Sequence, residues 1–365
     1  MKKNVMVWAA CVAGLVACGD RGTLVSVANP TEQFRENEIV AVPWAEIGAV
    51  CSGADSMGVI VLSAAGDTLP SQVIFNGGEM PVELIFPATV EAGGTSNYRI
   101  VTGASPEFPP RAYGRCVPER LDDFAWENDR IGFRMYGPAL EATGEISNGI
   151  DIWLKRTEEM VVDQWYRDGD YHTDHGKGLD CYKVGRTLGA GAMAPYVDDT
   201  IVLGNNYVSC RILDRGPLRI AFELVYAPYE ADGAAVNEKR IVSLDAGDAF
   251  NRITELYDRS FGAVAGIVLH GEGEVLQEEG LTAYWEPQQG DNGHTAVAVI
   301  VPGGAVGHEN CGHLLTPATV EAGVPCTYYA GAGWSKAGFA DAAAWFDFVR
   351  ARAERIARPL QVSVR

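Results

Sequence analysis

Arg219-Ile220-Ala221-Phe222-Glu223-Leu224-Val225-Tyr226 and, a short break later, Asn237-Glu238-Lys239-Arg240-Ile241-Val242-Ser243-Leu244 decide the fold class. Apolar residues recur there at every second position, with charged residues between them. Successive side chains of a strand point to opposite faces, so this alternation describes strands with one solvated face. Ile131–Met135, Ile150–Leu154 and Thr295–Val301 have the same character. Towards the N-terminus, Leu24–Val27, Ile39–Val42, Val59–Leu62 and Val82–Phe86 are β-branched runs too short for helices. Regularly spaced short runs of this kind predict an antiparallel β-sandwich of about a hundred residues. Ser105-Pro106-Glu107-Phe108-Pro109-Pro110 interrupts the rhythm with an extended connector. The expected organisation is a leader over 1–17, an N-terminal sandwich over 18–112 and a larger β domain over 113–365. One long helix is expected, from Asp341 to Ala357, with Trp345, Phe348, Val349 and Ile356 on one face. It ends before Pro359, and a last strand follows over Leu360–Val364.

Lys2 and Lys3 precede an apolar stretch, Val5 to Ala17, that is too short to span a bilayer. It ends Leu15-Val16-Ala17-Cys18-Gly19, which resembles the bacterial lipobox. The expectation is a protein anchored by lipid at Cys18 in the bacterial cell envelope, in the outer membrane or periplasm. The net charge of −19 argues against a nucleic-acid partner, which needs basic patches. An anionic ligand would need cations gathered locally. Cys51, Cys116, Cys181, Cys210, Cys311 and Cys326 remain after the anchor, enough for three disulfides in an oxidising compartment. No zinc-ribbon spacing occurs among them.

Against this acidic background, Tyr171-His172-Thr173-Asp174-His175-Gly176-Lys177-Gly178-Leu179-Asp180-Cys181-Tyr182-Lys183-Val184-Gly185-Arg186 is an anomaly. Imidazole, lysine, arginine and tyrosine crowd into one glycine-punctuated run, within a segment (160–200) that follows neither the helix nor the strand period. Such a run suits a site that holds an anion and moves a proton. A solvated loop is the alternative. No cofactor is expected; a divalent metal on His172 and His175, completed by Asp174 or Asp180, is the other reading. Arg130, Arg134 and Tyr136 fall on one face of a strand and would suit a sugar or carboxylate. Trp126 would stack on a sugar ring or fill core. His308-Glu309-Asn310-Cys311-Gly312-His313 spaces its histidines one residue too far apart for a zinc-protease helix.

Several longer strings carry a family resemblance. Trp126–Leu140, Gly149–Arg156, Tyr171–Arg186 with Leu188-Gly189-Ala190-Gly191, and Asp214–Arg219 resemble the family catalogued as domain of unknown function 4861. The resemblance covers essentially the mature chain. It implies a mainly β lipoprotein of bacterial polysaccharide-degradation clusters, whose large domain is a galactose-mutarotase-like supersandwich. It also implies kinship with an oligosaccharide dehydratase acting on ulvan-type fragments.

Eliminating water from a non-reducing-end uronate removes the C5 proton and expels the 4-hydroxyl, leaving a 4,5-unsaturated sugar. That chemistry needs a base near neutrality, an acid for the leaving hydroxyl and a cation on the carboxylate. His175 or His172 is the candidate base, Tyr171 or Tyr182 the acid, and Arg186 or Lys183 the clamp. Arg186 is favoured as clamp because a guanidinium pairs bidentately with a carboxylate. The expected partner is an acidic, uronate-containing and sulfated or unsulfated oligosaccharide. A glycoside hydrolase or polysaccharide lyase on the same scaffold, or a non-catalytic glycan-binding lipoprotein, are the alternatives.

Overall fold

The computed structural model describes residues 22–51 and 58–365, with no side chains described for 48–51. The leader, Cys18 and the Cys51 side chain lie outside the described residues. No described helix is long and apolar enough to cross a membrane.

The chain is mainly β, as its alternation requires. In the N-terminal sandwich, Thr23–Ala28, Thr95–Thr102, Val59–Leu62 and Thr68–Leu69 form one sheet, and Arg35–Pro43, Glu83–Val90 and Gln72–Ile74 the other. Val25, Val27, Val42, Leu84, Phe86 and Ile100 are buried between them. The last strand, Gln361–Val364, does not stay with the large domain. It pairs antiparallel with Thr23–Ala28, setting Val25 opposite Val364 and Val27 opposite Val362. The expected boundary at 113–365 is corrected accordingly: without this strand, Thr23–Ala28 would be an edge with unpaired backbone groups.

The larger domain is the supersandwich. Its central sheet has eight strands, ordered Tyr207–Arg215, Arg219–Tyr226, Glu238–Asp245, Phe250–Tyr257, Cys326–Trp334, Thr295–Ile300, Leu281–Trp285 and Glu274–Glu278. Two five-stranded sheets cover one face. One contains Ala190–Val197, Phe261–Val268 and His313–Val320. The other runs Gly178–Asp180, Asp151–Lys155, Ile131–Met135, Asp123–Asn128, Ala112–Val117. A bridge between Ile150 and Gly189 joins them. On the opposite face of the central sheet lies the helix Ala342–Ala357, capped where Asp341 accepts a hydrogen bond from the Ala344 amide. Its Trp345 is fully buried beside Phe250 and Phe339.

Cys116, Cys181, Cys210, Cys311 and Cys326 are free thiols, so no disulfide forms among the described residues. Trp126 is core: fully buried, it stacks on Phe133 and donates its indole N–H to Asn251 at 2.7 Å. It is therefore not placed to stack on a sugar. His308 and His313 sit on opposite strands of a hairpin whose turn, Cys311-Gly312, takes positive φ at both residues. His313 accepts the Leu188 amide through Nε2.

Candidate functional site

The five-stranded sheet ending at Ala112–Val117 has two unlike faces. One carries Phe124, Phe133, Met135, Ile152 and Leu154 into the core. On the other, cross-strand register sets Arg134 beside Asp151, Trp153 beside Asp180, and Gly132 beside Glu127. An apolar-in, polar-out strand is ordinary, but these polar residues are buried too, because the segment 156–177 folds over them. Part of that segment, expected as irregular chain, is the helix Val162–Asp168. It is fastened by Glu127, whose carboxylate accepts the Val161 and Val162 amides at 2.9 and 2.7 Å. Lys155 holds Glu127 in turn at 2.6 Å, and burial lowers the lysine's pKa. Gly178 closes the segment at φ +127°. A Cβ there would lie 1.9 Å from the Leu154 carbonyl oxygen, so only glycine fits.

Under this cover Arg134 is the centre of a charge cluster. Its Nη2 donates to Asp151 at 2.5 Å, to Asp180 at 2.8 Å and to the Tyr136 hydroxyl at 3.1 Å, while Nε donates to Asp151 at 2.9 Å. Tyr136 donates to the same Asp151 oxygen at 2.9 Å. Asp123 stands 4.0 Å away and accepts the Gly137 amide. Aromatic rings wall the cluster: the Arg134 guanidinium lies 4.8 Å from the Tyr136 ring centre, 5.6 Å from Trp153 and 5.9 Å from Tyr171. Tyr171 stacks on Trp153, and Tyr166 packs against both.

Three buried aspartates share one fully enclosed arginine, with half-buried Arg120 4.0 Å from Asp123 at the rim. Burial pushes the Asp123 carboxyl up to about 6 despite the opposing pull of Arg134. Burial, and then the like charge of Asp151, push Asp180 up to about 8. Two carboxyls are thereby brought into the range where they exchange protons near neutrality. Asp123 Oδ2, Arg134 Nη1 and Trp153 Nε1 are buried without a hydrogen-bond partner among the described residues. The Tyr166 hydroxyl is in the same state, and so are Arg240 Nη1 and Glu255 Oε2 in the other buried arginine cluster of the large domain.

The cluster reaches the surface at three residues. Arg120, half-buried, has its Nη1 4.0 Å from Asp123 and interacts with the Tyr171 side chain. Tyr171 is half-buried, and His172 is exposed and packs on it at 4.5 Å between ring centres. His172 Nδ1 lies 2.9 Å from the Asp180 carbonyl oxygen. A carbonyl only accepts, so Nδ1 carries a proton, and in the neutral ring the lone pair is on Nε2. His175 lies further out, 3.0 Å from Asp170, both side chains exposed. Together with Trp165, Tyr171 and Lys177 it lines a surface cleft of about 330 Å³.

Of the residues singled out in the sequence, Tyr171, His172, Arg134 and Tyr136 therefore come together. Arg130 does not. It leaves the strand at the turn, stacks 5.6 Å over Phe348 of the C-terminal helix and donates to Gly247, away from Arg134. Tyr182 is buried edge-on against His270, which is held by Glu286 at 2.7 Å and by the Lys183 carbonyl at 2.7 Å. Lys183 and Arg186 are exposed and form no ion pair among the described residues. Among the described residues no group of three or more His, Cys, Asp or Glu is arranged to hold a metal. Arg120 and Asp123 escaped the sequence reading because they are remote in sequence from the Tyr171–Arg186 run, and Tyr166, although inside the 160–200 segment, carries no motif. Only the alternation of buried charge along the Asp123–Asn128 strand, Asp123 and Glu127 four apart, hinted at it.

The architecture has counterparts of known structure. A glycosyl hydrolase family 38 protein and an alpha-mannosidase, both from Enterococcus faecalis, superpose with TM-scores of 0.55 at 8% and 7% identity. Each match covers 94% of this chain, which spans about half (47% and 46%) of the length of those proteins. At such identity the likeness concerns the fold alone. In sequence, an uncharacterized protein P7 from Formosa agariphila is 33% identical over 276 residues, 69% of each chain. The model of the domain of unknown function 4861 matches residues 27–362. The chain belongs to the DUF4861 family.

Proposed function

We propose that the protein is a carbohydrate-active enzyme that eliminates water from the non-reducing-end uronic acid of an acidic oligosaccharide. The observation that carries this reading is the convergence of His172, Tyr171 and Arg120 over a buried acid cluster whose carboxyls are held near neutral pKa. The family resemblance and the sandwich scaffold shared with glycoside hydrolases agree with it.

In this reading Arg120 replaces Arg186 as the clamp on the sugar carboxylate, since it interacts with the Tyr171 side chain, whereas Arg186 is exposed and shows no contact with the cluster among the described residues. Neutralising that carboxylate makes the C5 proton removable. His172 Nε2 takes the proton, the C5–H electrons form the C4=C5 double bond, and the C4–O bond breaks. The Tyr171 hydroxyl gives its proton to the departing oxygen, so that water leaves. The proton gained by His172 and the one lost by Tyr171 re-equilibrate through solvent, to which both side chains open, with the Asp180 carboxyl 3.7 Å from His172 Nδ1. A lipid anchor at Cys18 would place this reaction in the cell envelope, on saccharides arriving from outside.

The test is mass spectrometry of uronate oligosaccharides incubated with the protein. Loss of one water from an intact chain, with new ultraviolet absorbance of an unsaturated uronate, is the expected result. The raised carboxyls of Asp123 and Asp180 also suit a glycoside hydrolase, which would add water and shorten the chain. Cleavage leaving an unsaturated end would mean a polysaccharide lyase. Unchanged but bound substrate would mean a glycan-binding protein.

A further inference from the structure

A second cluster of cations lies where three parts of the molecule meet: the strand Arg35–Pro43, the turn after Asp245, and the helix Ala342–Ala357. They enclose a cleft of about 150 Å³, roughly ten times the 15 Å³ or so that admits one water molecule. Arg130, Arg352 and Arg355 line it. So do four acids, but three of these are already neutralised. Arg35 holds Glu38 at 2.9 Å, Arg219 holds Asp245 at 2.5 Å, and Arg352 holds Asp248 at 2.5 Å. Glu36 alone faces the remaining positive charge.

That charge is poorly used by the protein itself. Arg355 has no carboxylate partner among the described residues; it reaches only the Gln33 amide oxygen at 3.3 Å and the Phe34 carbonyl at 3.4 Å. Among the described residues Arg130 donates to the Gly247 carbonyl and stacks on the Phe348 ring, with no carboxylate in ion-pair contact. Arg352 spends Nη2 on Asp248, yet its Nε is buried with no hydrogen-bond partner among the described residues. Burial lowers the Arg355 pKa, helped by Arg35 and Arg352 and opposed by Glu38 and Asp248, neither of which is in ion-pair contact with it among the described residues. Arg130 and Arg355 thus face the open cleft without an ion pair among the described residues, and Arg352, paired with Asp248, keeps one unpartnered donor, so an anion would complete all three.

We propose that this cleft binds a small oxyanion, a sulfate or carboxylate group, on Arg130, Arg352 and Arg355. The site is separate from the Arg134 cluster and does not depend on the reaction proposed there. Guanidinium groups suit such a ligand because their donors match two oxygens at once. Because the N-terminal sandwich and the C-terminal helix both line the cleft, a bound anion would also tie them to the large domain.

Isothermal titration calorimetry at constant ionic strength tests this, with sodium sulfate and sodium glucuronate as separate titrants. Saturable binding of at least one is expected in the wild-type protein. It should weaken about tenfold or more in Arg355→Gln and in Arg130→Gln, and persist in His172→Ala. Saturation by sulfate alone identifies a sulfate ester as the ligand group, and by glucuronate alone a carboxylate. Arg130 is exposed, so circular dichroism should find Arg130→Gln folded even if Arg355→Gln is not. Absence of saturable binding by either anion overturns the proposal, as does wild-type affinity in folded Arg130→Gln and Arg355→Gln. Loss of glucuronate binding in His172→Ala alone would assign that binding to the other site and likewise overturn it.

Discussion

Two buried arginines invite comparison. Arg134 lies on the outer face of a five-stranded sheet, while Arg240 lies between the central sheet and its cover. Both are held by two acids: Arg240 meets Glu255 at 2.6 Å and Glu238 at 3.1 Å, and Glu255 is pushed up to about 8 by burial. Both face aromatic rings, with Tyr226 5.2 Å from Arg240. The difference is in what covers them. Arg240 is sealed by strands, with the Met193 carbonyl in reach. Arg134 is covered by one short helix and a loop, and it communicates with solvent through Arg120, Tyr171 and His172. Similar electrostatics thus lie under different cover: the Arg240 cluster is sealed between two sheets, and the thinly covered Arg134 cluster has the access that the proposed chemistry needs.

Substitutions should separate the two. Arg240→Met leaves Glu238 and Glu255 buried without a counter-charge and should cost about 3–5 kcal/mol in urea unfolding. Adding Glu238→Gln and Glu255→Gln should restore much of that loss, since a buried ion network is replaceable when its role is structural. Failure of the triple variant to recover would mean that the Arg240 network is more than a structural ion cluster. Next in size, Asp180 has a folded pKa of about 8, above the ordinary carboxylate range. The folded state therefore binds more protons than the unfolded state between about pH 4 and pH 8. Its stabilising contribution is complete at the acid end and is lost as pH rises through 8. Asp180→Asn should flatten the fall in stability between pH 5 and pH 8 by on the order of 1–3 kcal/mol; an unchanged slope would count against the raised pKa. Smallest of all, Lys183→Ala and Arg186→Ala should leave stability within about 0.5 kcal/mol and turnover near wild type. A large loss of turnover would return the carboxylate clamp to that end of the segment.

The fold was legible because alternation reports burial directly. Ile220, Phe222 and Leu224 are buried in the central sheet, as their spacing requires. The last strand misled because Leu360–Val364 carries no mark of its partner, and pairing with residues 330 or more positions away is a tertiary fact. The helix Val162–Asp168 was hidden because its start is held by Glu127 from another strand rather than by a local cap. Within the site, Tyr171 and His172 were found by composition, and Arg134 and Tyr136 by strand spacing. Arg130 was misplaced because period-two spacing fails at a turn. Arg120 lies in a short 3-10 turn, Pro118–Arg120, and only the folded sheet brings it to Tyr171.

The assignment of the reactive site rests on His172, oriented by the Asp180 carbonyl, rather than on His175, paired with Asp170 at the surface. The most direct measurement is turnover of a uronate oligosaccharide, followed by mass spectrometry, for His172→Ala and His175→Ala side by side. With His172 as the base, wild type and His175→Ala lose water from the substrate, and turnover falls about 100-fold or more in His172→Ala at unchanged stability. Near-normal turnover by His172→Ala, or its loss in His175→Ala alone, would contradict it.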